Sequence, residues 1–118
     1  MKRLASFGAD ALLVIVFCAI GRRSHDEAVI AGLLKTVWPF GIGLLLGWAI
    51  AIALARDTRF DPTALWPSGI IIWFATLAGG MALRAISGQG VALSFVIVAA
   101  CVLALFLLGW RAAIRALR

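Results

Sequence analysis

The sequence predicts an all-α membrane protein, a four-helix transmembrane bundle, and three observations predict it. Of 118 residues, 64% are hydrophobic and 14% are charged, with a mean hydropathy of +1.11. A soluble domain of this size leaves much of its surface in water and cannot hide so much apolar area. The charges are also widely spaced: between Arg3 and Arg22 only Asp10 is charged, and 36–55, 62–83 and 85–110 carry none. At roughly 20 apolar residues per crossing, that spacing makes four spans. Finally, the polar stretches left over are loops, too short to form a soluble enzyme domain. The chain reads as a single transmembrane domain over 1–118.

Helix one is expected over about 4–20. Met1-Lys2-Arg3 and Ala19-Ile20-Gly21 resemble the two ends of a cleaved signal, but Asp10 interrupts the apolar run, so the segment is read as a retained helix. It ends at Gly21, and Ser24 or Asp26 in the polar loop that follows can cap the next helix. Helix two is expected over about 28–55, with Pro39 inside it. That proline admits either a short interfacial helix followed by a span, or one long kinked helix; an internal repeat, described below, favours the second.

The loop with Arg56, Asp57, Arg59, Asp61 and Pro62 has turn chemistry and no core of its own. Pro67 suits the first turn of helix three, expected over about 67–85. Ser87-Gly88-Gln89-Gly90 is a tight turn, making helices three and four a close antiparallel hairpin. Helix four follows over about 91–110 and continues into a basic tail, 111–118.

The net charge of +6 arises from 11 Lys and Arg against 5 acids. Because these charges sit at helix ends and loops, they imply anchoring in a lipid bilayer and contact with anionic lipid headgroups, not a nucleic-acid surface. Lys2, Arg3, Arg56, Arg59, Arg111, Arg115 and Arg118 fall on one side of the bundle and Arg22, Arg23, Lys35 and Arg84 on the other. The larger group places both termini in the cytoplasm. Cys18 and Cys101 lie inside apolar runs and read as packing residues. With His25 the single histidine and no Cys pair at metal-ligand spacing, no metal or other cofactor is expected. The sequence has no glycine-rich phosphate loop, no carboxylate pair on one helix face and no Ser/His/Asp arrangement, so it does not read as an enzyme.

Sliding the chain along itself by 62 residues lays Leu45-Leu46-Gly47-Trp48 on Leu107-Leu108-Gly109-Trp110 and Arg22 on Arg84. This fits either two tandem helical hairpins related as a parallel repeat, a plan used by some small transporters, or a coincidence of apolar composition.

Two constellations could carry chemistry. Asp10 lies about 10 Å inside the membrane, where a carboxylate is costly unless protonated, solvated or paired. Counting residues from the helix ends brings Trp48, Trp73 and, through the repeat, Arg111 to the same depth. The expectation is a buried Asp10–Arg111 ion pair flanked by the two tryptophans, with Thr76 available to line a polar path. Asp10 then has three readings: a group that holds the helices together, a substrate- or ion-binding carboxylate in a cytoplasm-facing cavity, or a shallow, hydrated Asp. On the opposite side, Arg22, Ser24, His25, Arg84 and Gln89 could converge on an anion or lipid headgroup; the alternative is ordinary snorkelling, with Arg84 paired to Asp26 or Glu27. Gly43-x-x-x-Gly47, Gly79-Gly80 and Ala100-x-x-x-Ala104 are small-residue faces for helix contact, within the bundle or in a homo-oligomer. Trp38, Trp66 and Trp110 are placed as interfacial aromatics.

Ala9-Asp10, Ile20-Gly21-Arg22-Arg23-Ser24-His25, Trp38-Pro39-Phe40 through Gly47-Trp48, Gly69 with Trp73 and Thr76, and Leu108-Gly109-Trp110-Arg111 occur in this order along the chain. Together they resemble the DUF3054 family, a domain of unknown function found in small integral membrane proteins. The resemblance implies the four-span architecture and no particular activity. Two function classes follow: a small transporter or lipid- or metabolite-binding membrane protein using the Asp10/Trp48 cavity, or a non-transporting structural or accessory subunit.

Overall fold

The chain forms a bundle of four helices in a computed structural model, which describes residues 2–22, 29–55, 61–88 and 93–117. The helices are α1 (Lys2–Arg22), α2 (Val29–Leu54), α3 (Ile70–Ile86) and α4 (Leu93–Leu117), and no strand occurs among the described residues. Three stretches, Lys35–Leu54, Leu65–Ile86 and Leu93–Leu117, are long and apolar enough to cross a membrane; α1 contributes a shorter apolar stretch, Leu4–Ile20. The molecule measures 45 × 28 × 24 Å, so its long axis exceeds a hydrocarbon core of about 30 Å.

The helices close a ring in chain order, with α1 against α2, α2 against α3, α3 against α4 and α4 back against α1. The tightest crossing is between α2 and α3, not within the hairpin of α3 and α4. Glycine sets that distance. A Cβ on Gly43 would lie 2.9 Å from the Thr76 carbonyl, one on Gly47 would lie 3.0 Å from the Ile72 Cα, and one on Gly79 would lie 3.0 Å from the Gly43 Cα. Gly80 leaves the space that the Phe40 ring fills. The Gly43-x-x-x-Gly47 and Gly79-Gly80 faces are thereby used inside the chain.

α2 runs unbroken through Pro39, the long-helix alternative. Pro39 brings no N–H to the helix ladder. Nearby, the Thr36 carbonyl accepts the Cys18 thiol across the α1–α2 contact at 3.8 Å. At this end Phe17, Phe40 and Phe95 form an aromatic cluster, with Phe17 edge-on to Phe40 at 5.5 Å.

Two local departures from a plain bundle shape the other end. In α4 the buried stripe is Ala99, Leu103, Leu107 and Arg111, a run of four-residue steps. A regular helix overshoots by about 40° at each such step, so the stripe would drift off the core. A widened, π-type turn at Ala104–Leu108 absorbs the excess and returns Arg111 to the interior. The expected basic tail is thus a helical extension of α4 to Leu117, and its first residue is core. Before α3, Trp66 is extended (φ −124°, ψ 132°) and the Trp66–Pro67 peptide is cis; Trp66 is the one residue of Leu65–Gly69 with non-helical angles, so helical backbone leads from Pro67 into Ile70–Ile86. Pro62, Thr63 and Ala64 of the segment ahead of it are buried, as is Ser68. At the far end of α3, Gly88 adopts φ 81° and donates to the Ala85 carbonyl, as the glycine turn predicts; Gln89 and Gly90 lie outside the described residues.

Gly43→Ala places a methyl group against the α3 backbone, and overpacking of this kind costs about 1–3 kcal/mol. The detergent-solubilised variant is expected to melt below the wild type, whereas Gly8→Ala, with nothing within 4 Å of the added Cβ, matches or exceeds it. Equal melting of both variants would contradict the α2–α3 crossing.

Candidate functional site

The site is built from α1 outward. Ser6, Asp10, Val14 and Phe17 form the buried face of α1, so Asp10 points into the bundle with 0% of its surface exposed. Arg111 enters from α4, also at 0%. Its guanidinium meets the carboxylate end-on, Nη1 donating to Oδ1 at 2.8 Å and Nη2 to Oδ2 at 2.7 Å. This bidentate geometry is the strong form of the Arg–carboxylate pair. Two indoles complete the carboxylate: Trp48 Nε1 donates to Oδ2 at 2.9 Å and Trp110 Nε1 to Oδ1 at 2.8 Å. A carboxylate offers about four acceptor positions, and here four N–H groups take them.

The arginine is equally well held. Its Nε donates to the Pro62 carbonyl at 2.9 Å and Nη1 also reaches the Leu107 carbonyl, inside the widened turn, at 2.8 Å. The Trp110 ring lies against it, 4.7 Å from Cζ to centroid. Gly69 gives the stem its room, since a Cβ there would stand 3.0 Å from the Arg111 Cδ. Pro62 is in place because Asp61 folds the segment: Oδ1 accepts the Thr63 N–H at 3.0 Å and its hydroxyl at 2.8 Å, an Asx turn. Phe7 braces Trp48 edge-on at 5.5 Å. Among the described residues, no fully enclosed side-chain nitrogen or oxygen lacks a hydrogen-bond partner.

The structure therefore brings Asp10, Trp48 and Arg111 together and leaves two of the expected residues out. Trp73 turns its indole to the Ala100 carbonyl at 3.0 Å, and Thr76 donates to the Ile72 carbonyl of its own helix at 2.7 Å. Depth along a helix does not fix direction around it. The residue missed is Trp110, placed at the interface by its position at the end of an apolar run. The repeat held the signal, since it pairs Trp110 with Trp48 and these two indoles serve the same carboxylate. The Pro62 and Leu107 carbonyls carry no sequence signal at all.

Of the second constellation, Ser24, His25 and Gln89 lie outside the described residues, as do Asp26 and Glu27, and Arg22 closes α1. Arg84 places its guanidinium over the Phe95 ring, 4.6 Å from the centroid, at the aromatic end of the core. Its carbonyl accepts the Ser87 hydroxyl at 3.2 Å.

A family model, described as a protein of unknown function (DUF3054), matches residues 7–114. The chain belongs to the DUF3054 family. No curated protein and no solved structure matches it. In this DUF3054 member the matched region contains the whole carboxylate site, from Asp10 to Arg111.

Asp10→Asn leaves the Arg111 guanidinium buried without its counter-charge, and breaking a buried pair by removing one partner costs about 3–5 kcal/mol. Unfolding of the variant in mixed micelles is expected to show a loss of that order. The double variant Asp10→Asn/Arg111→Met should recover part of it, because an apolar replacement removes the stranded charge as well. A double variant no more stable than the single one would refute the coupling.

Proposed function

We propose that this DUF3054 chain is a non-transporting membrane protein, a structural or accessory subunit with no enzymatic step of its own, which offers helix faces to a partner within the bilayer. The observation that carries this reading is the closure of the Asp10 site. A carboxylate that moves a proton, ion or metabolite must exchange partners with one side of the membrane. Asp10 is fully buried and its acceptor positions are filled by the chain's own N–H groups. The layer next to it toward the aromatic end, Val14, Ile72, Leu103 and Leu107, is apolar and at most 2% exposed, and Ser6, one turn away on its other side, is 4% exposed.

The outer surface supports the same reading. Gly8 and Gly41 have nothing within 4 Å of the position a Cβ would take. A groove of about 330 Å³ between α1 and α2 is lined by apolar residues, among them Ala11, Gly41 and Ile42. Small residues beside an open groove let a helix approach closely, and a helix of a second copy of this chain fits that description. The distribution of Lys and Arg favours an orientation with both termini in the cytoplasm.

Proteoliposomes carrying the purified chain, loaded with a mixture of inorganic ions and small metabolites, are expected to show the same flux as empty vesicles. Flux above that background, abolished in an Asp10→Asn variant that remains folded, would overturn the proposal in favour of a transporter.

A further inference from the structure

A second polar place lies outside the ion pair, where the end of α2, the segment before α3 and the end of α4 enclose a cavity of about 490 Å³. Its walls differ in kind. Leu54 and Ile71 give it an apolar side, while Asp61, Ser68 and Arg115 give it a polar one. Ser68 is 4% exposed, and its hydroxyl has no hydrogen-bond partner among the described residues, unlike those of the buried Thr63 and Thr76. Arg115 faces Asp61 at 3.7 Å, beyond hydrogen-bond length, with 41% of its side chain and 46% of that of Asp61 exposed. The carboxylate is held in place by its turn with Thr63, so the cavity presents a fixed negative group and a positive group side by side.

The position is as informative as the charges. The apolar run of α2 ends at Leu54, next to the charged loop, and Trp66 stands at the rim with 75% of its surface exposed. This is the level of a bilayer at which lipid headgroups lie and exposed indoles collect. A ligand complementary to the cavity carries an anionic group for the Arg115 guanidinium and the Ser68 hydroxyl. Beside it the ligand carries an ammonium that can donate to Asp61, and then an apolar chain for the wall of Leu54 and Ile71.

We propose that this cavity binds a phosphoethanolamine zwitterion, presented by an aminophospholipid of the bilayer. Its phosphate sits on Arg115 and Ser68, its primary ammonium on Asp61. The proposal is independent of the accessory role. A quaternary ammonium has no N–H to give to Asp61, and a glycerol headgroup has no cation, so the site distinguishes phosphatidylethanolamine from phosphatidylcholine and phosphatidylglycerol.

The test is native mass spectrometry of the full chain released from micelles containing the three lipids in equal amounts. Phosphatidylethanolamine adducts are expected to exceed each of the others by about tenfold, the scale of a charge-assisted hydrogen bond. Arg115→Gln should remove that preference. Asp61→Asn, which keeps an oxygen for Thr63, should remove the preference over phosphatidylcholine, with a thermal melt showing that each variant is folded. Competition by free O-phosphoethanolamine at equal concentration would support the same chemistry with a soluble source; failure to compete assigns the lipid. Adducts in proportion to the lipid mixture, or a preference unchanged in folded Arg115→Gln, would overturn the proposal.

Discussion

A carboxylate inside a bilayer must be compensated by something, and in this chain the compensation of Asp10 organises one end of the molecule. An Asp at the centre of a spanning helix costs about 2.5–3.5 kcal/mol on insertion scales. Arg111 cancels the charge, and the indoles of Trp48 and Trp110 occupy what the guanidinium leaves open. Each of these donors constrains a backbone element. α1 must lie against both α2 and α4, α4 must be rephased by a wide turn, and the chain between α2 and α3 must fold back to bring the Pro62 carbonyl to Nε. Gly69 leaves room for the arginine stem, since a Cβ there would stand 3.0 Å from the Arg111 Cδ and from the Ala64 carbonyl.

The other end is held by different physics. There Phe17, Phe40 and Phe95 interlock, Gly80 makes room for Phe40, and Arg84 rests on the face of Phe95. Between the two ends the glycines of α2 bring its backbone onto α3. In lipid, helices gain little from apolar burial as such, so close backbone approach and satisfied polar groups carry the association. The interior is consistent with that rule: among the described residues, every fully enclosed side-chain polar atom is engaged.

The sequence made the architecture legible because its signal was strong and one-dimensional: long uncharged runs separated by charged loops. Asp10 with Arg111 and Trp48 was legible for a related reason, since depth in a membrane can be counted along a helix. Direction around the axis cannot be counted, so depth alone groups Trp73 and Thr76 with a site that their hydrogen bonds show they do not join. Phase in α4 depended on a wide turn that no residue pattern announces. The repeat was informative in an unexpected way. Trp48 and Trp110 keep their equivalence at a single carboxylate, whereas the position equivalent to Asp10 is Ile72, fully buried, and that equivalent to Arg111 is Ala49, exposed. The two halves share the indoles and differ in the charges.

The ion pair joins residue 10 to residue 111, nearly the two ends of the chain. During synthesis the first helix therefore emerges with a carboxylate whose partner has yet to be made. Until α4 is delivered, Trp48 of α2 is the one donor of the site already made, and the counter-charge of Arg111 is still missing. The first helix is also the one with the shortest apolar stretch. Its charge compensation thus rests on α4, whose arginine is made 101 residues after the carboxylate it pairs with.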